Sequence, residues 1–169
     1  MGHAEAQRRK IELGLCRDLD PYDTRSIRAL QWMVRWGFST SKILNQLFLS
    51  KNDLAKLESA GLVENFQIGF KRTKDSRPIP TVIWFPSKKG RVLGKVGDYL
   101  GKRYPSIELA SHDLICQAFV ADRLARDSVG STGTDIWPAR MIAKTGVPGI
   151  DLAQHLPDAV YFDHDRSTT

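Results

Sequence analysis

STSKILNQLFLSKNDLAKLESAGLV, residues Ser39 to Val63, reads as two short helices joined by a tight turn, and that reading decides the fold. Ser39, Thr40 and Ser41 offer capping oxygens ahead of Ile43, Leu44, Leu47 and Phe48, whose spacing puts four apolar groups on one face of a first helix. Ser50, with Asp53 three residues on, gives a capping-box-like start to a second helix. The hydroxyl takes an orphan amide, and the carboxylate suits the positive end of the helix. Leu54 and Leu57 turn inward and Gly61 stops the helix. Lys51, Asn52, Ala55, Lys56 and Ser59 share the opposite face, which is polar, cationic and small enough for close approach. This is the helix-turn-helix arrangement, whose second helix reads the major groove of DNA. An amphipathic helix pair with solvated lysines accounts for the same residues, so the flanking sequence has to decide.

Charge is the first flanking observation. The 169 residues carry a net charge of +6. From Tyr22 to Tyr104 there are sixteen Lys or Arg against six Asp or Glu, whereas from Pro105 to Thr169 there are five against nine. Such segregation favours a module that meets a polyanion, because every phosphate neutralised by Lys or Arg releases counterions. An apolar share of 41% is enough for a core. No apolar run approaches the roughly 20 residues of a membrane span and no export signal is visible. Cys16 and Cys116 stand apart without a partner pattern, which fits reduced thiols in a cytoplasmic protein.

Before the helix pair, Ala4 to Leu19 reads as a helical arm ended by Asp20 and Pro21. Asp23 or Thr24 then caps a helix to Trp36, with Ile27, Leu30, Met33 and Val34 inward and Gly37 as the stop. Trp32 and Trp36, four apart, read as core partners.

After the pair, Val63 to Phe70 alternates as a half-buried strand, with Phe66, Ile68 and Phe70 on one side, and Thr81 to Phe85 is a second strand closed by Pro86. Between them a turn-forming loop carries Lys71, Arg72, Lys74 and Arg77. Three helices followed by a hairpin with a basic tip make a winged helix, in which the tip touches the adjacent backbone or minor groove. Ser87 to Gly90 opens a further helix with Val92, Leu93, Val96, Tyr99 and Leu100 on its apolar side. Lys88 and Lys89 extend the positive surface. Gly90, Gly94 and Gly97 weaken this helix and hint at close packing in a homodimer.

The remainder is acidic. Ile107 to Arg126 reads as a helix with Leu109, Leu114, Ile115, Ala118, Phe119, Ala121 and Leu124 buried, interrupted near Ser111, His112 and Asp113. A strand is expected from Ile136 to Ala143 and another through Val160 to Phe162. Helix, strand, strand begins an α/β unit.

The run from Leu57 to Val63, the aromatic strand ending at Phe85, the basic Ser87 to Gly90, the triplet His112, Asp113, Leu114 and the turn Pro157, Asp158, Ala159 occur in a telling order. In that order the chain resembles the replication-relaxation family and the related MobC-type plasmid mobilisation proteins, relaxases in which a winged helix precedes a domain similar to restriction endonucleases. The resemblance implies that Asp158, after a proline as in the PD-(D/E)xK pattern, binds a divalent metal, with Glu108 as an extra acidic ligand. Asp158 and Glu108 are thus the catalytic candidates, with Mg or Mn as the metal if the chain is catalytic. The acid-x-Lys half of the pattern is missing, for no lysine follows Lys144. A single carboxylate holds a hard cation poorly, so the chain as given reads as either non-catalytic or shortened. A plain turn role for Asp158 after proline stands beside the metal role.

The expectation is therefore an α+β chain with an arm over residues 1–21, a winged helix-turn-helix over 22–104 and a partial nuclease-like α/β segment over 105–169. The expected function is sequence-specific duplex DNA binding, needing no cofactor, by a mobile-element mobilisation or replication-initiation protein at an origin site. The expected readers are Lys51, Asn52, Lys56, Ser59, Lys71, Arg72, Lys74, Arg77, Lys88 and Lys89. Rival expectations are a metal-dependent nicking relaxase, a winged-helix transcriptional regulator, and an interaction module whose hairpin meets an acidic protein.

Overall fold

Asp23 accepts the Ser26 amide at 2.7 Å and so starts helix α1, Thr24–Trp36, which Gly37 ends in the positive-φ region at 95°. The structure, a computed structural model, describes residues 23–94, 106–127, 134–139, 142 and 159–163. The arm read over Ala4 to Leu19, the boundary at 104–105, Lys95, Val96, Gly97, Tyr99, Leu100 and Asp158 lie outside the described residues. The inward stripe of α1 holds: Leu30, Met33 and Val34 are buried and Ile27 is half-buried. Trp32 and Trp36 also go inside, their rings 5.6 Å apart, and Trp32 meets Phe48 edge-on at 6.0 Å.

Ser39 and Thr40 do more than cap. They form a two-residue strand, β1 (Ser39–Thr40), while the Thr40 hydroxyl accepts the Ile43 amide and starts α2, Ser41–Leu47. Helix α3, Asp53–Ser59, follows a turn in which Asn52 takes the left-handed conformation at φ 77°. The expected capping box is thereby corrected to half of itself. The Asp53 carboxylate reaches back to accept the Ser50 amide at 2.6 Å and is buried there, but the helix begins at Asp53, and Asn52 caps without a side-chain hydrogen bond.

The chain then forms a hairpin of β2, Val63–Phe70, and β3, Ile79–Pro86, antiparallel from the pair Val63 and Pro86 to the pair Phe70 and Ile79. Strand β1 adds to the other edge of β3, giving the order β1-β3-β2. Ile83, fully buried, places the inner face of this sheet on α1 to α3, and Phe38 packs on Phe85 at 6.0 Å. The sheet is less covered than its alternation implied. Phe66 stays 45% exposed although it lies opposite Ile83.

Helix α4, Lys88–Gly94, lies on α1. One of the glycines expected to weaken it, Gly90, is what lets it lie there. A Cβ at Gly90 would sit 2.0 Å from the Leu62 carbonyl oxygen, and one at Gly94 3.4 Å from Val34 Cγ2. Gly90 thus serves close contact within this chain, at a position whose spacing was read as a dimer hint.

Helix α5, Ile107–Asp127, is continuous across Ser111, His112 and Asp113, where a break was expected. The polar residues there mark a packed side instead. Ser111 is buried and its hydroxyl accepts the Lys71 amide at 2.9 Å, holding the base of the hairpin loop. Leu114 and Ala121 are buried as expected, but Leu109, Ile115, Ala118 and Phe119 are exposed. Helix α5 instead turns Ala110, Leu114, Gln117 and Ala121 inward, and it packs on α2 and β2. Gln117, fully buried, is affordable inside because both ends of its amide are used: Oε1 accepts from Trp32 Nε1 at 3.0 Å and Nε2 donates to the Phe38 carbonyl at 2.9 Å. Gln117→Ala should therefore cost about 2–4 kcal/mol, from two lost hydrogen bonds, a buried donor left without its acceptor, and a cavity. Urea unfolding of wild type and variant measures it.

Strands β4, Thr134–Pro138, and β5, Ala159–Asp163, pair antiparallel. The first of these starts before the expected Ile136, and its ladder ends at Pro138, which has no amide to continue it. The second lies where it was expected. The chain is thus α+β, with a three-stranded antiparallel sheet against helices and a separate two-stranded ladder.

Candidate nucleic-acid interface

Nine of the basic residues of the central segment are exposed, and most of the acids among them are engaged in local contacts. Over the described residues 23–94 there are thirteen Lys or Arg and five Asp or Glu. Asp23 caps α1 and pairs with Arg25 at 3.2 Å, Asp53 is buried on the Ser50 amide, and Glu58 accepts from Asn65 Nδ2 at 2.6 Å. Only Glu64 and Asp75 remain without such a contact.

Lys51 and Asn52 are exposed in the turn ahead of α3, so they flank its first turn rather than ride on it. Of the face read from spacing, Ala55 and Ser59 lie exposed on α3, Lys56 is half-buried, and the Ser59 hydroxyl donates to the Ala55 carbonyl at 2.8 Å. The hydroxyl's proton is therefore committed to its own helix, which leaves Ser59 only its acceptor lone pairs. The inward side of α3 is fixed by Leu54 and Leu57, both buried, as the sequence required.

The loop between β2 and β3 runs from Lys71 to Pro78, the expected bounds. Arg72, Lys74 and Arg77 are exposed and Lys71 half-buried. Its shape is set locally: Ser76 Oγ accepts the Thr73 amide at 3.1 Å and donates to the Thr73 carbonyl at 2.9 Å, and the Ser76 amide returns to the same carbonyl at 3.1 Å. Four cations thus sit on a turn closed by side chains that carry none. Seven residue steps of β2, at about 3.3 Å each, put this loop roughly 23 Å along the strand from Val63.

Lys88 and Lys89 do not act alike. Lys88 is exposed, but Lys89 Nζ donates to the Ala60 carbonyl at 3.1 Å, so it caps the end of α3 with a positive charge. Ser87 strengthens that junction: its hydroxyl donates to the Gly61 carbonyl at 2.7 Å and accepts the Gly90 amide at 3.0 Å. Sequence reasoning missed Lys89's second role because a lysine thirty residues downstream carries no local sign of reaching a helix end. It missed the Glu58–Asn65 bond, which ties α3 to β2, for the same reason.

Glu108, the acidic ligand implied by the resemblance, is exposed in the first turn of α5. Asp158 lies outside the described residues. Among those described, no group of three or more His, Cys, Asp or Glu stands together as a metal site. The Cys116 sulfur lies 3.7 Å from His112 Nε2. Among the described residues no helix is long and apolar enough to cross a membrane. No protein-family model, curated protein or solved structure matches this chain.

Proposed function

We propose that α1 to β3 is a winged helix-turn-helix and that it binds duplex DNA, with α3 and its preceding turn in the major groove and the Lys71–Pro78 loop on the flanking backbone. The observation that carries this reading is the excess of cations on one packed unit, thirteen Lys or Arg against five Asp or Glu over residues 23–94, with Lys51, Arg72, Lys74 and Arg77 exposed at the two places. The element order supports it: helix, short strand, helix, helix and hairpin, with β1 joining β3 to give the order β1-β3-β2. That order leaves α3 presenting one side while Leu54 and Leu57 hold the other. Sequence is read by Asn52, whose amide suits adenine, and by Lys51; Lys56 and the loop cations meet phosphate. The resemblance in motif order extends the proposal to an origin site on a mobile element, where mobilisation or replication proteins would be the partners.

The test needs variants that spare the fold. Asn52 sits at φ 77°, where alanine is strained but glycine is not. Asn52→Gly therefore removes the amide and keeps the turn. Duplex selection followed by footprinting should show preference relaxed at one or two positions in Asn52→Gly, each by about 1–3 kcal/mol. Lys51→Ala should likewise relax preference, whereas Lys56→Ala should weaken all sequences more evenly. An unchanged footprint and affinity in the triple variant would remove α3 as the reader.

A further inference from the structure

Helix α5 is the longest element described, and its outer side carries an ordered pattern that duplex binding does not use. At 100° per residue, Glu108, His112, Ile115, Phe119, Asp122 and Arg126 fall on one strip, opposite the buried Ala110, Leu114, Gln117 and Ala121. All six are exposed; Phe119 is 76% and Ile115 49% open to solvent. Within the strip Arg126 pairs with Asp122. The two apolar groups stand at the centre, acid and histidine lie toward the N-terminus, and acid and arginine toward the C-terminus.

We propose that this strip packs against the same strip of a second copy of the chain, antiparallel about a two-fold axis at the level of Gln117. The occupant follows from charge. Turned end for end about that level, the strip places Ile115 on the partner's Phe119, Glu108 on the partner's Arg126 and His112 on the partner's Asp122. Every pair is complementary in kind and each occurs twice, as an isologous interface requires. A parallel pairing sets Glu108 on Glu108 and Asp122 on Asp122, and like charges oppose it. A partner lacking this sequence would need the same alternation by coincidence. Glu108 and Arg126 lie nine residues either side of the axis, about 13.5 Å, so their long side chains meet only at a shallow crossing of about 20°. The apolar centre is small, so the dimer is a concentration-dependent one. The inference stands apart from the duplex reading, and its test contains no DNA.

Sedimentation equilibrium of the full chain at low salt, from about 1 to 200 μM, spans the range in which such a dimer forms. Wild type is expected to shift from monomer toward dimer. Phe119→Ser should weaken association at least tenfold with the circular dichroism spectrum unchanged, since the side chain is already in water. Glu108→Arg and Arg126→Glu should each weaken it by facing like charges across the axis. An equimolar mixture of these two variants restores both pairs in the heterodimer, and should associate at least as well as wild type. The mixture separates pairing across the axis from the local loss of the Asp122–Arg126 contact, which it does not repair. A wild type monomeric throughout, association indifferent to Phe119→Ser, or a mixture no better than its components overturns the proposal.

Discussion

Gly90→Ala is expected to lower stability by about 3 kcal/mol or more, although glycine to alanine inside a helix ordinarily gains close to 1 kcal/mol. The new methyl group would stand 2.0 Å from the Leu62 carbonyl oxygen and 3.1 Å from Leu30 Cδ2. The leucine tip can rotate away, but the carbonyl belongs to the backbone and accepts the Ser87 amide at 2.9 Å. Relief therefore means lifting α4 from α1 and breaking the junction that also holds Ser87 Oγ on the Gly61 carbonyl. Overpacking against backbone lies at the upper end of the usual range because nothing nearby gives cheaply. For a chain of this length the loss corresponds to a fall of roughly 10 °C in Tm. Gly94→Ala is the internal control. Its nearest atoms lie at 3.4 and 3.5 Å, ordinary contact, so its stability should stay within about 1 kcal/mol of wild type. Thermal unfolding of both variants separates close approach from mere helix propensity.

The same glycines show what the sequence did and did not disclose. Where a residue's role is set by its own neighbours in the chain, the reading held. Asp23 and Gly37 bound α1, and Leu54 with Leu57 orient α3. Phe70 and Pro78 delimit the basic loop, because turn residues and alternation are local signals. Roles that depend on distant partners were hidden. Ser39 and Thr40 are too short and polar to announce a strand, and become one only because Trp84 and Ile83 lie alongside. Helix α5 carries apolar residues on both sides, and the reading combined inward Leu114, Ala121 and Leu124 with outward Leu109, Ile115, Ala118 and Phe119. Small Ala110 and Ala121 approach the core closely, and Gln117 is accepted there by Trp32 and Phe38, whereas bulky Phe119 stays outside. The candidate site divides in the same way. Its loop cations were legible from composition, but Asn52's left-handed turn and the capping role of Lys89 arise from the fold.

Replacing Lys71, Arg72, Lys74 and Arg77 together by alanine is expected to flatten the salt dependence of duplex binding and leave sequence preference intact. Each phosphate contact contributes about 0.9 to the slope of log affinity against log salt, so four lost contacts lower it by between 3 and 4. Near 0.15 M salt that is a loss of about 10²–10³ in affinity, larger than any single base contact supplies. Fold loss would not mimic this. The loop's turn is closed by Thr73 and Ser76, which remain, its base is held by Ser111 through the Lys71 backbone amide, and three of the four side chains are exposed. Preference should persist because phosphates carry no sequence information and Asn52 is untouched. Titrations at four or five salt concentrations, with wild type and variant on the same duplex, give both slopes. If affinity falls while the slope stays as in wild type, the loop's cations do not meet phosphate, and the positive hairpin is left for an acidic protein surface instead.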